Sequence, residues 1–407
     1  MTGRPVFRSG PLRYATAERF GRPRPPASPT PATPAGAVCP QPPSRLDAVM
    51  GPPRDRRPQS EDCLQLAVTA PADRPARMSP GRPVLIWFHG GGFSSGAGIL
   101  DWYDGGALAA EQDVVVVSVG YRLGALGYLL LDGVSAGNLG LWDQVEALRW
   151  VRDHIARFGG DPGNVTLFGQ SAGALSIRLL MDVPEARGLF RRAILQSAPL
   201  AAGIRPADEA HDLGRVFAAH LGTDPRTAEP DRMLAAQART AAEQRRRTGN
   251  FLIPPFGPVI GIGPLPAETG PPSFPEGTPE VLYGWNGDDM SAFPEGPDDT
   301  GSVAERTRRV YEAPLTALRG ELERAGARVH GYRLDWRPPG SPFGATHCVE
   351  IPLLLGSADA WRNSPMLGDL DWAQVDAVGR RMRAAWAAFA RDGAAGPLPT
   401  PLVALAG

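Results

Sequence analysis

The chain has no lysine: all 42 of its basic residues are arginine, balanced by 43 acidic ones to a formal net charge of −1. That balance gives no electrostatic reason to expect nucleic acid or an anionic membrane surface as partner. Together with 49 glycines and 44 prolines, the arginine bias reads as the mark of GC-rich bacterial coding. Cysteine is scarce. Cys39, Cys63 and Cys348 have no zinc-ligand spacing, and only His347 beside Cys348 brings a histidine near one, so no metal site is expected. Apolar runs long enough to span a bilayer are missing, and the first residues, Met-Thr-Gly-Arg-Pro-Val-Phe-Arg, lack the apolar stretch of a secretory signal. A soluble, cytoplasmic protein is therefore the expectation.

What is present is an alternation of short apolar runs with helical patterns. Residues 83–88 (PVLIWF), 114–119 (VVVVSV) and 164–168 (NVTLF) are continuously apolar over strand length, as in strands covered on both faces of a parallel sheet. Between the last two, Trp142, Val145, Leu148, Val151, Ile155 and Phe158 recur at helical spacing, stopped by Gly159 and Gly160. A helix is predicted over 171–182, strands over 192–196, 280–285 and 327–336, and a helix over 372–392 with Val375, Val378, Met382, Trp386 and Phe389 on one stripe. The sum is an α/β fold, a mostly parallel central sheet with helices on both faces. All 407 residues are read as one domain, with 1–58 as a Pro/Arg-rich arm, irregular in part and extended along the surface from 21. Residues 200–279 would supply a reduced helical cap (204–248) and, from 253, a Pro/Gly-rich loop at the rim of the site.

The chemistry concentrates at Gly169-Gln170-Ser171-Ala172-Gly173, which follows an apolar strand and opens a helix. A sharp strand-to-helix turn pushes the serine hydroxyl outward, and small flanking residues let strand and helix approach, so Ser171 is the candidate nucleophile. Acyl transfer also needs donors aimed at a developing oxyanion. His89-Gly90-Gly91-Gly92-Phe93 follows the strand ending at Phe88, and the backbone N–H groups of Gly91, Gly92 and Ala172 can converge on one oxygen.

These stretches resemble the type-B carboxylesterase family, the group of the cholinesterases and the bacterial para-nitrobenzyl esterases. The likeness is carried by Ser60-Glu61-Asp62-Cys63-Leu64, the HGGGF at 89–93, Tyr121-Arg122-Leu123-Gly124, Asn138 to Gln144 (NLGLWDQ), Phe158 to Pro162 (FGGDP), the turn at Ser171, and Gln196-Ser197. The resemblance implies the α/β-hydrolase fold and hydrolysis of a carboxylic ester through an acyl-enzyme on Ser171, with no cofactor. In that fold the order is nucleophile, acid, histidine. His330 lies within a predicted strand, which leaves His347, in a loop (344–350) similar to the family's Gly-x-x-His-x-x-Glu. In the register of the family's Asp-Glu-Gly, Asp289 falls on the catalytic carboxylate, with Asp288 as the alternative and Met290 in place of the glycine. An aspartate there is one methylene short, about 1.5 Å, so the backbone must move in to compensate.

The same resemblance makes Glu350, Ser197 and Gln170 supporting residues, Gln170 standing where many members have glutamate. It makes Cys39 and Cys63 a disulfide pair, which a cytoplasm would keep reduced. Phe93, Leu123, Trp102 and Tyr103, with the loop 253–265, are expected to line a pocket for an apolar or aromatic group of a small ester. Asp289 and His347 are only 58 residues apart, shorter than the family's usual span. The cap should then be trimmed, leaving the pocket more open or closed by a second copy in a homodimer. The same site could serve acyl transfer or cyclisation in a biosynthetic pathway if water is kept out. A binding member without catalysis is the third class, against which the intact Ser171 and glycine run speak.

Overall fold

The structure, a computed structural model, describes residues 4–26, 36–73, 81–202, 204–249, 252–267, 279–294, 300–393 and 401–405. The C-terminal half of the rim loop, 268–278, lies outside them. Nine strands form one twisted sheet among the described residues. In chain order they are β1 (Val6–Arg13), β2 (Gln65–Pro71), β3 (Arg82–Phe88), β4 (Val115–Val119), β5 (Gly160–Gln170), β6 (Arg192–Gln196), β7 (Glu280–Asn286), β8 (Arg328–Leu334) and β9 (Leu402–Ala404). They lie side by side as β1-β2-β4-β3-β5-β6-β7-β8-β9. The six strands from β4 to β8 are mutually parallel; β1, β2 and β9 add antiparallel edges. This is the α/β-hydrolase architecture.

Strand alternation divides the core in two. Val84, Ile86 and Phe88 of β3 face one layer, while Leu85 and Trp87 face the other. On the first face lie α1 (Leu139–His154), α2 (Ala172–Leu180) and the helix Ala313–Arg324, through Val145, Leu148, Val151, Leu175, Ile177, Leu315 and Leu318. On the second lies the helix Trp372–Asp392, whose Val375, Met382, Trp386 and Phe389 are buried against Leu85, Trp87, Phe168 and Ile194. Each such side chain stabilises the fold by roughly 1.5–3 kcal/mol through removal of apolar surface from water. The crossover helix begins three residues before the first apolar residue of the predicted stripe, because Asn138 takes a left-handed conformation that turns the chain into the helix.

Residues 36–58 are anchored more deeply than a surface arm. Val38 bridges to Gln59, and Cys39, Leu46, Val49 and Met50 are buried in the core. Buried ion pairs tie distant segments together. Asp143 of α1, fully buried, receives Arg122 Nη2 at 2.7 Å and Nε at 2.9 Å, and Arg122 also donates to Gly21 O at 2.8 Å. The strands β6 and β7 are cross-linked by Arg192 and the buried Glu280.

Two amphipathic helices, Ala207–Leu221 and Pro230–Thr248, fill the predicted cap region and pack on each other. No helix among the described residues is long and apolar enough to cross a membrane.

Candidate active site

The site is assembled at the carboxyl ends of β3, β5, β6, β7 and β8, where side chains on strand-end loops converge over the sheet. Ser171 stands between β5 and α2 at φ 55°, ψ −123°, a conformation a serine adopts only when its surroundings enforce it. They do. The Ser171 N–H donates to Gln196 O at 2.9 Å, and its carbonyl accepts the first helical bond from Leu175 N at 2.9 Å. A Cβ on Gly169 would lie 2.8 Å from Phe88 O, and one on Gly173 would collide with the same oxygen, so both glycines are required by the packing of α2 on β3.

Gly91 and Gly92 have φ of 109° and 61°, and a Cβ on Gly91 would run into Ser95 O. Among the described residues, the N–H groups of Gly91, Gly92 and Ala172 donate to no protein acceptor, and Ala172 is the first residue of α2. Donors left over at a helix start beside a glycine turn make a site for a developing negative charge. His89 fixes the turn from below, its Nδ1 on Gly90 O at 2.7 Å and its ring stacked on Tyr121; burial pushes its pKa down to about 4, so it remains neutral.

His347 Nδ1 meets Asp289 Oδ1 at 2.7 Å, and both side chains are fully buried. The shorter acid reaches because Asp289 opens a tight turn, 289–292, separated by two residues from the end of β7 at Asn286. Its second oxygen accepts from Ser197 Oγ at 2.9 Å and from Asn286 N at 2.8 Å. Asp288 points elsewhere: it binds Arg337 Nε at 2.7 Å and Ala345 N at 2.9 Å, clamping the histidine loop. His330 sits in β8, its ring beside Phe389 and far from this cluster in the fold.

Glu350 Oε2 accepts from Asn286 Nδ2 at 2.6 Å, and burial, with the charge of Asp289 next in weight, pushes its pKa up to about 7. Asn286, which also donates to Thr346 O at 2.8 Å, is thus a hub that the sequence did not reveal. As the last residue of a strand, it carries no motif.

Gln170 takes a more direct part than its neutrality suggested. Its Nε2 lies 2.9 Å from His347 Nε2. With the Nδ1 proton given to Asp289, Nε2 is an acceptor and the Gln170 amide donates to it. In this arrangement the amide holds the lone pair that a nucleophile's proton would use.

Two cavities flank the glycine turn. One, of about 120 Å³, is lined by Ser171, Ala172, Gly92, Phe93, Leu175, Phe293, Val310 and Tyr311, with Leu252 to Pro254 of the rim loop. Phe293 and Tyr311 also pack against the His347 ring, with centroids 5.2 and 5.4 Å away. The other, of about 420 Å³, opens on the far side of the turn between Gly90, Gly91, Gln170, Cys348 and the segment 41–59. Consecutive residues of one turn, Gln170 and Ser171, therefore face different chambers.

Of the four side chains expected around the substrate, Phe93 alone lines the serine cavity. Trp102 and Tyr103 line the other chamber, because their short helix, Asp101–Tyr103, packs beneath the glycine turn and Trp102 stacks on Trp361. Leu123 lines neither; it is buried in the core, its N–H 3.3 Å from Cys39 Sγ. Cys39, Cys63 and Cys348 are free, buried thiols, with Cys63 next to Cys39.

The sequence profile of the carboxylesterase family matches residues 10–295. The chain belongs to the carboxylesterase family. It is 42% identical to a probable N-octanoylanthranilate hydrolase of Rhodococcus erythropolis over 94% of this chain and 88% of that protein. To the para-nitrobenzyl esterase of Bacillus subtilis it is 33% identical, over 92% and 83%. Among solved structures, a thermophilic para-nitrobenzyl esterase superposes with a TM-score of 0.82 at 28% identity, covering 99% of this chain and 91% of that one. Like its carboxylesterase relatives, the protein is an ester hydrolase. The family profile stops at 295, so the loop of this carboxylesterase that carries His347 stands on its geometry.

Proposed function

We propose that this carboxylesterase cleaves its substrate through an acyl-enzyme on Ser171. His347 takes the hydroxyl proton on Nε2 and returns it to the leaving group; Asp289 holds the imidazole in the required tautomer and stabilises the imidazolium. The N–H groups of Gly91, Gly92 and Ala172 receive the oxyanion, each contributing on the order of 3 kcal/mol to the transition state. Water then repeats the sequence and releases the acid. For Ser171 to engage Nε2, the Gln170 amide has to move off it.

The observation that carries this reading is the 2.7 Å contact of His347 with Asp289 beside a serine held on a strained turn. The apolar wall of Phe93, Leu175, Phe293 and Val310 suits an aliphatic or aryl substituent. A relative named for N-octanoylanthranilate favours a second reading, in which the scissile bond joins an acyl chain to an aromatic amine.

An activated phosphonate should label the protein once, on the peptide containing Ser171, and Ser171→Ala should abolish both label and ester cleavage. Cleavage that persists in Ser171→Ala would sink the proposal. Assay of paired aryl esters and N-acyl arylamines separates the two substrate readings.

A further inference from the structure

The cavity at Ser171 is apolar over most of its wall, yet three charged side chains face it, those of Arg45, Arg205 and Glu209. Arg205 is buried and its charge is matched by Glu209, while its Nη2 donates to Pro254 O at 2.7 Å. Arg45 reaches the cavity from another part of the chain. It comes from the segment between Val38 and Met50, is exposed into the cavity, and donates through Nη1 to the neutral carbonyl of Leu252 at 3.3 Å. A Cβ on Gly92 would sit 2.7 Å from Arg45 Nη2, so the guanidinium rests against an oxyanion glycine.

On its other side, Arg45 is within charge range of Tyr311, whose ring is 5.4 Å from that of His347. The cation thus stands one side chain away from both halves of the reacting centre. Arg245 adds a second positive charge nearby; desolvation first and this repulsion second lower the Arg45 pKa. A planar fork of charged donors facing a recess is complementary to a carboxylate.

We propose that Arg45 is a specificity-determining residue that binds a carboxylate of the substrate, so that the preferred substrate is an anionic acyl compound carrying that group a few bonds from the scissile carbonyl. Apolar parts lie along Phe93, Leu175 and Val310. The inference rests on Ser171 being the nucleophile of this cavity.

The test uses two matched pairs of esters: mono-4-nitrophenyl adipate against its terminal amide, and 3-butyryloxybenzoate against 3-butyryloxybenzamide. In each pair only the carboxylate is exchanged for a neutral group of the same shape. The full-length enzyme should prefer the anionic member of at least one pair in kcat/KM. Arg45→Met should reduce that preference roughly 10- to 100-fold, as loss of a charge-assisted pair does, chiefly through KM. Arg45→Lys should retain part of it. A wild-type enzyme with no anionic preference in either pair, or a preference that survives Arg45→Met, overturns the proposal. A fall in kcat alike for charged and neutral esters would make Arg45 a support of the glycine turn and also overturn it. These results are distinct from failure of the nucleophile reading, which shows as absence of phosphonate on Ser171.

Discussion

At the scale of single residues, the acid and its neighbours make separable predictions. Asp289 and Asp288 are adjacent in sequence, yet one touches His347 and the other Arg337. Asp289→Asn should lower kcat by about 10³- to 10⁴-fold with KM little changed, because the amide favours the wrong tautomer. Asp288→Asn should cost far less, and equal losses in steady-state assays would reject the assignment. Gln170→Glu places a negative charge on His347 Nε2 and favours the imidazolium. The kcat/KM for ester cleavage should then fall below that of wild type, because an imidazolium cannot take the serine proton. An unchanged kcat/KM would show that the amide does not govern the histidine.

Glu350 makes a prediction about stability, not rate. Its pKa is raised from 4.5 to about 7, so the folded chain binds a proton that the unfolded chain has released. Its contribution is fully present below about pH 4.5 and is lost as pH rises through 7. Glu350→Gln should flatten the fall of thermal midpoint across that window, as calorimetry at a series of pH values would show.

At the scale of elements, the turn between β5 and α2 is fixed by contact of glycine with backbone, which cannot yield as a side-chain end does. Gly173→Ala puts a methyl into Phe88 O. Either α2 lifts from β3, at about 1–3 kcal/mol, or the chain misfolds. In both cases phosphonate labelling should be lost with the fall in denaturant midpoint. Normal labelling in Gly173→Ala would contradict the packing described. The 39–63 segment, whose ends carry the neighbouring buried thiols Cys39 and Cys63, lines the larger chamber through residues between 41 and 59.

At the scale of the whole molecule, the buried Arg122–Asp143 pair joins the segment after β4, the helix α1 and the N-terminal chain at Gly21. Removing one partner leaves an uncompensated charge in the core. Asp143→Asn should destabilise the fold by roughly 3–5 kcal/mol, read as a drop in urea midpoint, although it lies outside the reacting centre. A midpoint within error of wild type would show that the pair is not buried in solution.

Most of the central strands and the long helices were legible in the sequence, because a strand covered on both faces must be continuously apolar and a helix must repeat every three to four residues. Residues 192–196 and 372–392 fall on their elements without adjustment. The strands β1 and β2 were not legible. β1, at the sheet edge, is exposed or half-buried along its length, and Gly10 and Pro11 interrupt it with a register shift; β2 is buried, but Gln65 and Thr69 break its apolar run. The serine turn and the glycine run were readable because steric necessity leaves only one residue type at each critical position. Contacts made by ordinary residues left no such trace. The sequence by itself determined the fold class, the strained serine and the loop that carries His347. Only the tertiary structure decided that Asp289 faces the imidazole, that Gln170 occupies it, that Trp102 and Tyr103 belong to another chamber, and that Arg45 reaches the serine cavity. Local sterics constrain neighbours along the chain, whereas these four outcomes depend on where loops from different strands meet, which no short stretch of sequence encodes.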